Sequence, residues 1–496
     1  MDRCNERGND IKDKNKVWKL TELPSGCHTI PNRWIFKVKT DCNGNIERHR
    51  ARLVIKGYAQ KTGIDFHETF SPVARFDTIR SLLSISAEKR MHLMQFDIKT
   101  AFLHGELEEQ IYMDQPEYFH DGTDRVCLLQ KSLYGLRQAP RAFNEKFANI
   151  MMQNEYSRSK ADNCLFTKLG EETTYVVHYV DDGIVATTNE NEFEELFTHL
   201  RQTFEISVKP LSHFLGIHVH IDSNHNIHIN QAKYIEETLA KFGMQECKST
   251  ATPADANLYS NTSLENDTRS ERPYRELIGS LMYMAIATRP DIAFTVSILS
   301  RYLDKHTGHH WTCALRALRY LRATTRHGIT YSGPQNTLEK PDLQAYSDAD
   351  FANDPETRRS VSGQIIINNN GPIVWASNQQ KVVTLSSTEA EFLAACEATK
   401  SLLWIKQIFL DFGLNVTPTL KIDNLSAIRL IKNPEYHRRT KHIDIKYQFI
   451  REKYNSGEIL FEHVPSAEQA ADIFTKPLSK PVFTKLRDLI GITPSS

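Results

Sequence analysis

The amino-acid sequence predicts an α+β protein of several domains, and three observations lead to this fold class. The chain has 496 residues, which suits two or three domains of about 100–200 residues each. Between residues 17 and 208, short β-rich runs alternate with helical patterns. After residue 343 the predicted order is three strands, a helix, a strand and further helices. That order is typical of a small mixed α/β sheet with helices on its faces.

Composition excludes several function classes. The 61 Lys and Arg residues balance the 61 Asp and Glu residues, so any contact with a polyanion must come from local basic patches. The eight cysteines contain no Cys-x-x-Cys pair, which argues against a zinc site or a disulfide framework and fits a reducing compartment. No apolar run approaches the roughly 18 residues of a membrane span. We therefore expect an intracellular protein with no membrane partner.

Changes in pattern divide the chain into five parts. We predict a disordered polar stub at 1–16 and a tail at 479–496, with three folded parts between them at 17–210, 211–340 and 341–478. Apolar spacing in the second folded part predicts helices at 277–287, 292–303 and 311–321. The third folded part has predicted strands at 344–347, 363–367, 373–376 and 419–422, and a helix at 387–410.

The stretch 175–186 is the most informative, because apolar residues flank the adjacent carboxylates Asp181 and Asp182. It predicts a strand, a turn and a second strand, with Gly183 allowing the sharp reversal. Asp-Gly is also a common hairpin turn without further function. The alternative is a site for a divalent cation, since hard oxygen ligands suit Mg²⁺ and a cation relieves the repulsion between two carboxylates.

Three further patterns identify a possible third carboxylate, a basic ridge and a helix. Asp97 follows a short apolar strand, where it is either a helix cap or a third carboxylate for the hairpin pair. A basic ridge at Arg316, Arg319 and Arg322 is either a solvated face or a phosphate contact. The apolar residues after the hairpin predict a helix that packs behind the acids; they are Phe193, Leu196, Phe197, Leu200 and Phe204.

Several long motifs occur in a characteristic order. Segments 50–60, 69–73, 97–105, 133–141 and 179–182 read RARLVIKGYAQ, TFSPV, DIKTAFLHG, LYGLRQAPR and YVDD. Together they resemble the reverse transcriptase of copia-type LTR retrotransposons, in the region of the Pol polyprotein that carries reverse transcriptase and ribonuclease H. The match extends from about Trp18 into the C-terminal region.

The resemblance implies a right-hand polymerase followed by a ribonuclease H-like mixed α/β domain. Residues 17–210 would be fingers and palm, 211–340 a thumb or connection, and 341–478 the ribonuclease H-like domain. By similarity, Asp97, Asp181 and Asp182 would hold two Mg²⁺ ions, or Mn²⁺, together with the backbone carbonyl of Ile98. The implied activity is RNA-directed DNA synthesis by two-metal nucleotidyl transfer.

The same resemblance implies a set of residues that bind nucleotide and template. Arg52, and less strongly Lys56, would contact the incoming triphosphate, because a planar guanidinium suits phosphate oxygens. Phe102 would lie beneath the sugar and reject a 2′-hydroxyl, or it is a core aromatic. Tyr134, Gly135 and Gln138 fall in the template- and nucleotide-binding motif, where Gly135 would permit close backbone approach.

A second set of acids resembles the four carboxylates of ribonuclease H. The implied metal ligands are Asp348, Glu391, Asp423 and Asp472. Asp350 competes with Asp348, and Glu389 competes with Glu391. We prefer Asp348 because it directly follows the apolar strand, and Glu391 because its surroundings match the family better. The basic run 437–442 either binds the hybrid or forms an exposed turn.

The resemblance also implies partners and a location. These are an RNA template, a DNA primer, the RNA–DNA hybrid, deoxynucleoside triphosphates, and the integrase and capsid of the same element. The place would be a cytoplasmic virus-like particle, with access to the nucleus. The alternative function is that of an inactive, truncated nucleic-acid-binding relic. The presence of all seven implied metal ligands favours the enzyme.

Overall fold

The computed structural model describes residues 17–40, 46–259, 272–333, 343–433 and 441–495. The chain forms two compact units. Unit 1 comprises Met1–Ala74 and Met94–Pro210, and unit 2 comprises Arg75–Leu93 and Leu211–Ser496. Helix α1 (Phe76–Glu88) therefore belongs to unit 2. The predicted stub 1–16 and most of the basic run 437–442 lie outside the described residues.

Unit 1 is built from short strands and two long helices. Its helices are α2 (Ala139–Gln153) and α3 (Asn191–Thr203). Its strands are β1 (Trp18–Thr21), β2 (Thr29–Ile30), β3 (Asn32–Thr40), β4 (Ile46–Ile55), β5 (His92–Ile98), β6 (Tyr112–Met113), β7 (Val126–Leu129), β8 (Ser157–Arg158), β9 (Leu165–Lys168), β10 (Thr174–Tyr179), β11 (Asp182–Thr187) and β12 (Ile206–Pro210).

A six-stranded sheet in the order β12-β5-β11-β10-β9-β8 carries the acidic hairpin. One face of this sheet meets α2 and α3 through a buried cluster that includes Phe96, Phe147, Val176 and Val185. The predicted packing of the helix after the hairpin is confirmed, because its apolar residues lie in this cluster. The remaining described strands form a β3-β4 ribbon and a sheet in the order β1-β7-β6-β2.

Unit 2 contains α1, two sheets and the remaining helices. Its strands are β13 (His213–Phe214), β14 (Ile217–Ile221), β15 (Ile227–Asn230), β16 (His327–Tyr331), β17 (Gln344–Asp350), β18 (Val361–Asn368), β19 (Gly371–Gln379), β20 (Thr419–Ile422), β21 (Leu460–His463) and β22 (Ile492–Pro494). Its other helices are α4 (Ala232–Lys241), α5 (Tyr274–Ala287), α6 (Ala293–Ser300), α7 (Gly308–Ala323), α8 (Ser387–Asp411), α9 (Leu425–Lys432), α10 (Lys441–Asn455) and α11 (Lys480–Leu489).

The second sheet of unit 2 has the order β19-β18-β17-β20-β21. β17, β18 and β19 are antiparallel neighbours, whereas β17, β20 and β21 run parallel. The predicted succession of three strands, a helix and a strand is confirmed. The predicted tail at 479–496 is wrong: this segment forms α11 and β22, and β22 pairs with β16 at the edge of the other sheet.

One buried arginine joins α1 to the rest of unit 2. The guanidinium of Arg80 donates to the carbonyl oxygens of Ile373 (2.8 Å), Ile286 (2.7 Å) and Ala287 (3.1 Å). It also stacks on the ring of Trp375 at 3.8 Å. Since Arg80 is 2% exposed, these carbonyls depend on it for hydrogen bonds. Arg80 therefore fastens α1 to α5 and β19.

The arginine ridge of α7 also has a structural role. Arg316 pairs with Asp255 at 2.9 Å, and Arg319 Nε donates to the carbonyl of Lys248 at 2.5 Å. Arg322 bonds the carbonyl of Cys247. The ridge is therefore not simply a solvated face, because these partly exposed side chains hold the preceding segment against α7. A phosphate contact at the ridge stays a prediction. No described helix has the length and apolar character needed to cross a membrane.

Candidate active sites

The acidic hairpin presents Asp181 and Asp182 at the tip of β10 and β11. Tyr179 pairs with Asp182, so Val180 and Asp181 form a two-residue loop. Val180 has φ +57°, which is unusual for a β-branched residue. The reversal therefore takes place at Val180, and the prediction that Gly183 allows it is wrong. Gly183 is a regular strand residue opposite His178.

Gly183 is nevertheless required, for a reason that the turn motif does not show. A Cβ atom at this position would overlap the end of the Phe96 ring. Phe96 is 1% exposed and belongs to the core beneath the sheet. Because side chains alternate along a strand, Asp182 then lies on the face opposite Gly183. The glycine lets β11 settle on Phe96 while the acid points away from the core.

Asp97 lies on β5, the strand beside β11 in the sheet. The backbone N–H of Ile98 donates to the carbonyl of Asp181 at 2.7 Å, which ties the two chain segments together. The short helix Ala101–His104 has Thr100 at its N-cap. The helix-cap alternative for Asp97 is therefore wrong, and the residue belongs to the strand.

The three acids form one electrostatic cluster. Burial raises the pKa of Asp182 to about 6, with further contributions from the charges of Asp181 and Asp97 and an opposing one from Lys209. Like charges that raise a pKa are relieved when a cation joins them. Carboxylate oxygens are the ligands that Mg²⁺ and Mn²⁺ prefer. The donor set therefore fits a divalent cation.

Three of the residues expected at a nucleotide site contact one another. The Arg52 guanidinium lies 5.0 Å from the centre of the Tyr134 ring. Tyr134 in turn meets Phe102 edge to face, with ring centres 5.2 Å apart. Arg52 Nε is buried and has no hydrogen-bond partner among the described residues. Phe102 is half-buried and packs against both apolar clusters of unit 1, so its core role and a role at the sugar are compatible.

Gly135 and Gln138 have internal partners. Gly135 has φ +98°, and a Cβ atom there would overlap the carbonyl oxygen of Ile55, so its close backbone approach is to β4. Gln138 is buried, accepts a hydrogen bond from Gln60 at 3.0 Å and donates to the carbonyl of Asp65 at 2.8 Å. Both residues shape the loop that carries Tyr134. Lys56, which directly follows Ile55 at the end of β4, is half-buried, and its backbone N–H donates to the carbonyl of Pro31 at 2.8 Å.

The second acidic site lies in unit 2. Asp348 is on β17, Glu391 is in the first turns of α8, and Asp423 follows β20. Their ligand atoms all lie within 4.8 Å of one another, and within the described ranges this is the one group of three candidate metal ligands that meets this distance. Asp348 is 3% exposed and Glu391 is 6% exposed. The site is thus compact and largely withdrawn from solvent.

The two competing acids face other partners. Glu389 accepts a hydrogen bond from the backbone N–H of Leu385 at 2.8 Å and so helps to cap α8. The Ser386 side chain completes the cap by accepting from the Glu389 N–H at 3.2 Å. Asp350 accepts a hydrogen bond from Asn353. The structure therefore brings Asp348 and Glu391, not Asp350 and Glu389, to Asp423.

Asp472, the fourth expected acid, lies on the short helix Ala470–Phe474 beside Asp348. Burial and the neighbouring Asp348 raise its pKa. Three residues that the sequence did not single out bind these carboxylates. Thr475 Oγ1 donates to Asp348 Oδ2 (2.5 Å), Ser466 Oγ donates to Asp423 Oδ2 (2.8 Å), and Lys476 Nζ lies 2.9 Å from Asp472 Oδ1. The four-residue spacing of Asp472 and Lys476 is the one signal that could have indicated the last of these contacts.

The chemistry of this second site also fits a divalent cation. Burial raises the pKa of Glu391 strongly, with further contributions from Asp348 and Asp423. Glu391 Oε2 is buried and has no hydrogen-bond partner among the described residues. Buried polar atoms are rarely left unpaired unless an ion or water serves them. A cation shared by Asp348, Glu391 and Asp423 would satisfy that oxygen.

Comparison with known sequences connects this arrangement to one family. The family model described as reverse transcriptase (RNA-dependent DNA polymerase) matches residues 15–256. The chain is 38% identical to the Retrovirus-related Pol polyprotein from transposon TNT 1-94 of Nicotiana tabacum, over 97% of this chain and 37% of that protein. It is 37% identical to the corresponding polyprotein from transposon RE1 of Arabidopsis thaliana, over 99% of this chain and 34% of that protein. The chain thus spans about a third of these polyproteins.

A shorter relative is covered almost entirely. The chain is 31% identical to a putative transposon Ty5-1 protein of Saccharomyces cerevisiae, over 61% of this chain and 98% of that protein. Among solved structures, the foamy viral protease-reverse transcriptase in complex with RNA/DNA hybrid has a TM-score of 0.53 and 14% identity, over 96% of this chain and 55% of that chain. The dRH form of the foamy viral protease-reverse transcriptase in complex with double-stranded DNA has a TM-score of 0.53 and 15% identity, over 93% of this chain and 69% of that chain. The predicted fold class is confirmed.

Proposed function

Because the chain belongs to the reverse transcriptase family of copia-type retrotransposon Pol proteins, we propose that it is an RNA-directed DNA polymerase that also cleaves the RNA strand of RNA–DNA hybrids. The observation that carries this proposal is the presence of two separate carboxylate clusters, one in each compact unit. Two sites with oxygen ligands suit two reactions at phosphate, each assisted by divalent cations.

In unit 1, Asp97, Asp181 and Asp182 hold the metal ions beside the primer terminus. The bound Mg²⁺ ions would lower the pKa of the primer 3′-hydroxyl and neutralise the triphosphate. The Val180 turn keeps Asp181 and Asp182 at the hairpin tip, and the hydrogen bond from Ile98 keeps Asp97 in register with them. The resemblance assigns a further metal contact to the carbonyl of Ile98.

The deoxynucleoside triphosphate is bound by the residues around Tyr134. Arg52 donates to phosphate oxygens through its guanidinium, which lies 5.0 Å from the centre of the Tyr134 ring. The ring of Tyr134 holds the guanidinium plane from below, and Phe102 braces that ring. Gly135 and Gln138 act on the same site by shaping the loop, whereas Lys56 adds positive charge near it.

In unit 2, Asp348, Glu391, Asp423 and Asp472 would hold divalent metal ions, which would supply Lewis-acid assistance to hydrolysis of the RNA strand. Asp348 and Glu391 are buried, so this part of the site is largely withdrawn from bulk water. Thr475 and Ser466 fix the carboxylates of Asp348 and Asp423 by donating hydrogen bonds to them. The oxygens that face the cation are thereby oriented before it binds.

The partners follow from these two reactions. They are an RNA template, a DNA primer, the hybrid that results, and deoxynucleoside triphosphates. By family, the chain would work with the integrase and capsid of its own element in a cytoplasmic virus-like particle, with access to the nucleus. The described cysteines Cys27, Cys127, Cys164, Cys247, Cys313 and Cys396 are free thiols, which suits a reducing compartment.

Primer extension and hybrid cleavage test the proposal together. We expect the purified chain to extend a DNA primer on an RNA template with Mg²⁺ or Mn²⁺ and to cut a labelled hybrid. Asp182→Asn should lower extension by about a thousandfold or more and spare cleavage, and Asp423→Asn should do the reverse, because removing a charged ligand acts on the transition state. The exposed Asp124→Asn is the matched control. Absence of both reactions in the unaltered chain would instead support the inactive relic.

A further inference from the structure

We propose that Lys476 is a built-in competitor of the divalent cation at the Asp348–Asp472 side of the unit 2 site. This inference rests on the proposed ribonuclease H function, because it takes the carboxylates to be metal ligands. Lys476 is a positioning residue in this view: its ammonium group holds the two acids in place and must move aside when a cation binds both of them.

The contacts of Lys476 show how closely it engages the site. Its Nζ lies 2.9 Å from Asp472 Oδ1 and 3.9 Å from Asp348 Oδ2. The Lys476 side chain is 38% exposed, while that of Asp348 is 5% exposed. The chain of methylene groups therefore reaches from the surface towards a buried carboxylate. Lysine is suited to this task, since its ammonium is a compact charge on a flexible stem.

The side chains that contact Asp423 differ in charge from those that contact Asp348 and Asp472. At Asp423, the side chain that contacts the carboxylate is the neutral hydroxyl of Ser466. At Asp472 and Asp348, the contacts come from the Lys476 ammonium and the Thr475 hydroxyl. A cation that approaches from the Lys476 side meets one positive charge already in place. Like charges a few ångströms apart repel strongly where solvent is partly excluded.

Lys476 therefore lowers the affinity of Asp348 and Asp472 for a shared divalent cation. The Lys476 ammonium is 2.9 Å from Asp472 but 3.9 Å from Asp348. A cation shared by Asp348 and Asp472 would therefore have to displace Lys476, whereas one held by Asp348, Glu391 and Asp423 would meet the ammonium only at that longer distance. The site would then hold one ion more firmly than the other. Weak binding of the second ion makes its release easier once the RNA strand is cut.

Counting bound Mn²⁺ by electron paramagnetic resonance tests this inference directly. The measurement uses the full chain with Asp181→Asn and Asp182→Asn in every sample, so that binding at unit 1 is suppressed. Lys476→Met removes the charge and keeps the length of the side chain. We expect it to lower the Kd of the weaker Mn²⁺ ion about tenfold, equivalent to about 1.4 kcal/mol. Lys476→Arg should keep the parent value.

The matched control is Lys485→Met. Lys485 also lies in unit 2, but its Nζ donates to the carbonyl of Ala467 at 2.7 Å. We expect the parent Mn²⁺ affinity for this variant. A lysine with a purely structural role would weaken Mn²⁺ binding when removed, because the acids would lose their arrangement. Tighter binding is therefore a result that structural damage does not produce.

Thermal unfolding gives a second readout. Without metal, Lys476→Met should melt below the parent, since two acids lose their counter-charge; with saturating Mn²⁺ it should gain more in Tm than the parent gains. The proposed role of Lys476 would be overturned if Lys476→Met and Lys485→Met had equal Mn²⁺ affinity while Asp423→Asn bound Mn²⁺ more weakly. The ligand set would then still stand. Unchanged binding in Asp423→Asn would overturn the ligand set and the inference with it.

Discussion

The two carboxylate clusters are held in place by different physical means. In unit 1, Asp97 is exposed and Asp182 half-buried, and both lie on strands that a core of aromatic rings supports from behind. In unit 2, Asp348 and Glu391 are buried, and side-chain hydrogen bonds from Thr475 and Ser466 orient the acids of the site. Apolar packing thus positions the backbone at the first site, whereas polar contacts position the side chains at the second.

Because the two sites are held in place differently, they should be sensitive to different substitutions. A site that depends on packing is vulnerable to added volume beneath the sheet. A site that depends on buried hydrogen bonds is vulnerable to the loss of a single hydroxyl or charge.

Arg80→Met should destabilise unit 2 by about 3–5 kcal/mol, because it leaves three carbonyl oxygens without their buried donor. Urea unfolding followed by hydrogen exchange in β19 measures the loss. Hybrid cleavage should fall with stability. The control is the exposed Arg90→Met, just beyond α1. If Arg80→Met unfolded with the parent midpoint, the fastening of α1 to unit 2 would not be a source of stability.

Gly183→Ala should destabilise unit 1 by about 3 kcal/mol, because the added methyl group collides with the buried ring of Phe96. DNA synthesis should fall at least tenfold, and hybrid cleavage should change less than twofold. Gly170→Ala is the matched control, since the nearest atom to its new Cβ is 3.5 Å away. Equal rates of DNA synthesis by the two variants would show that packing against Phe96 does not position the acids of unit 1.

His178→Phe should flatten the acid dependence of stability in unit 1. His178 is buried, stacks on Phe147 with ring centres 4.3 Å apart, and has a pKa lowered to about 4 by burial, although the Val180 backbone opposes the shift. Because the unfolded chain binds a proton at about pH 6.5, stability is lost as the pH falls from about 6.5 to about 4.

Urea midpoints at pH 7 and pH 4.5 measure this dependence. We expect the parent to lose about 2 kcal/mol more than His178→Phe between these values. The two proteins should differ little at pH 7, where His178 is neutral in both states. Parallel losses in the parent and the variant would show that another group causes the acid sensitivity.

Thr475→Val should lower hybrid cleavage about tenfold and the stability of unit 2 by about 1 kcal/mol, since it removes the hydroxyl that orients Asp348 at nearly constant volume. DNA synthesis should be unchanged. Thr399→Val is the control, because that buried hydroxyl donates to the carbonyl of Ala395, within its own helix, at 2.8 Å and has no part in the acidic site. Matching cleavage rates for the two variants would mean that Asp348 needs no side-chain support.

Local patterns in the sequence predicted the elements that depend on near neighbours. The hairpin, the helix behind it and the strand order near the C-terminus all follow from apolar spacing of 2 or 3.6 residues. The role of Gly183 could not be predicted in this way. The Asp-Gly pair suggests a turn, but the residue that requires a glycine is Phe96, which is distant in sequence and reveals nothing about its packing.

Periodicity also shows which residues share a face without showing what that face meets. Arg316, Arg319 and Arg322 do lie together on α7, yet their partners are Asp255 and backbone carbonyls of the preceding segment. The four-residue spacing of Asp472 and Lys476 could have indicated their contact. The approach of the same ammonium to Asp348 could not be predicted, because Asp348 comes from a distant segment.

Helix α1 has a consequence for the order in which the chain assembles during translation. The ribosome makes α1 before most of unit 1, but its partners α5 and β19 emerge only much later. Until then its apolar residues Ile79, Leu82 and Leu83, all buried in the finished protein, have no permanent cover. Neither unit is a continuous stretch of the nascent chain, so the native partners of α1 are made only after all of unit 1.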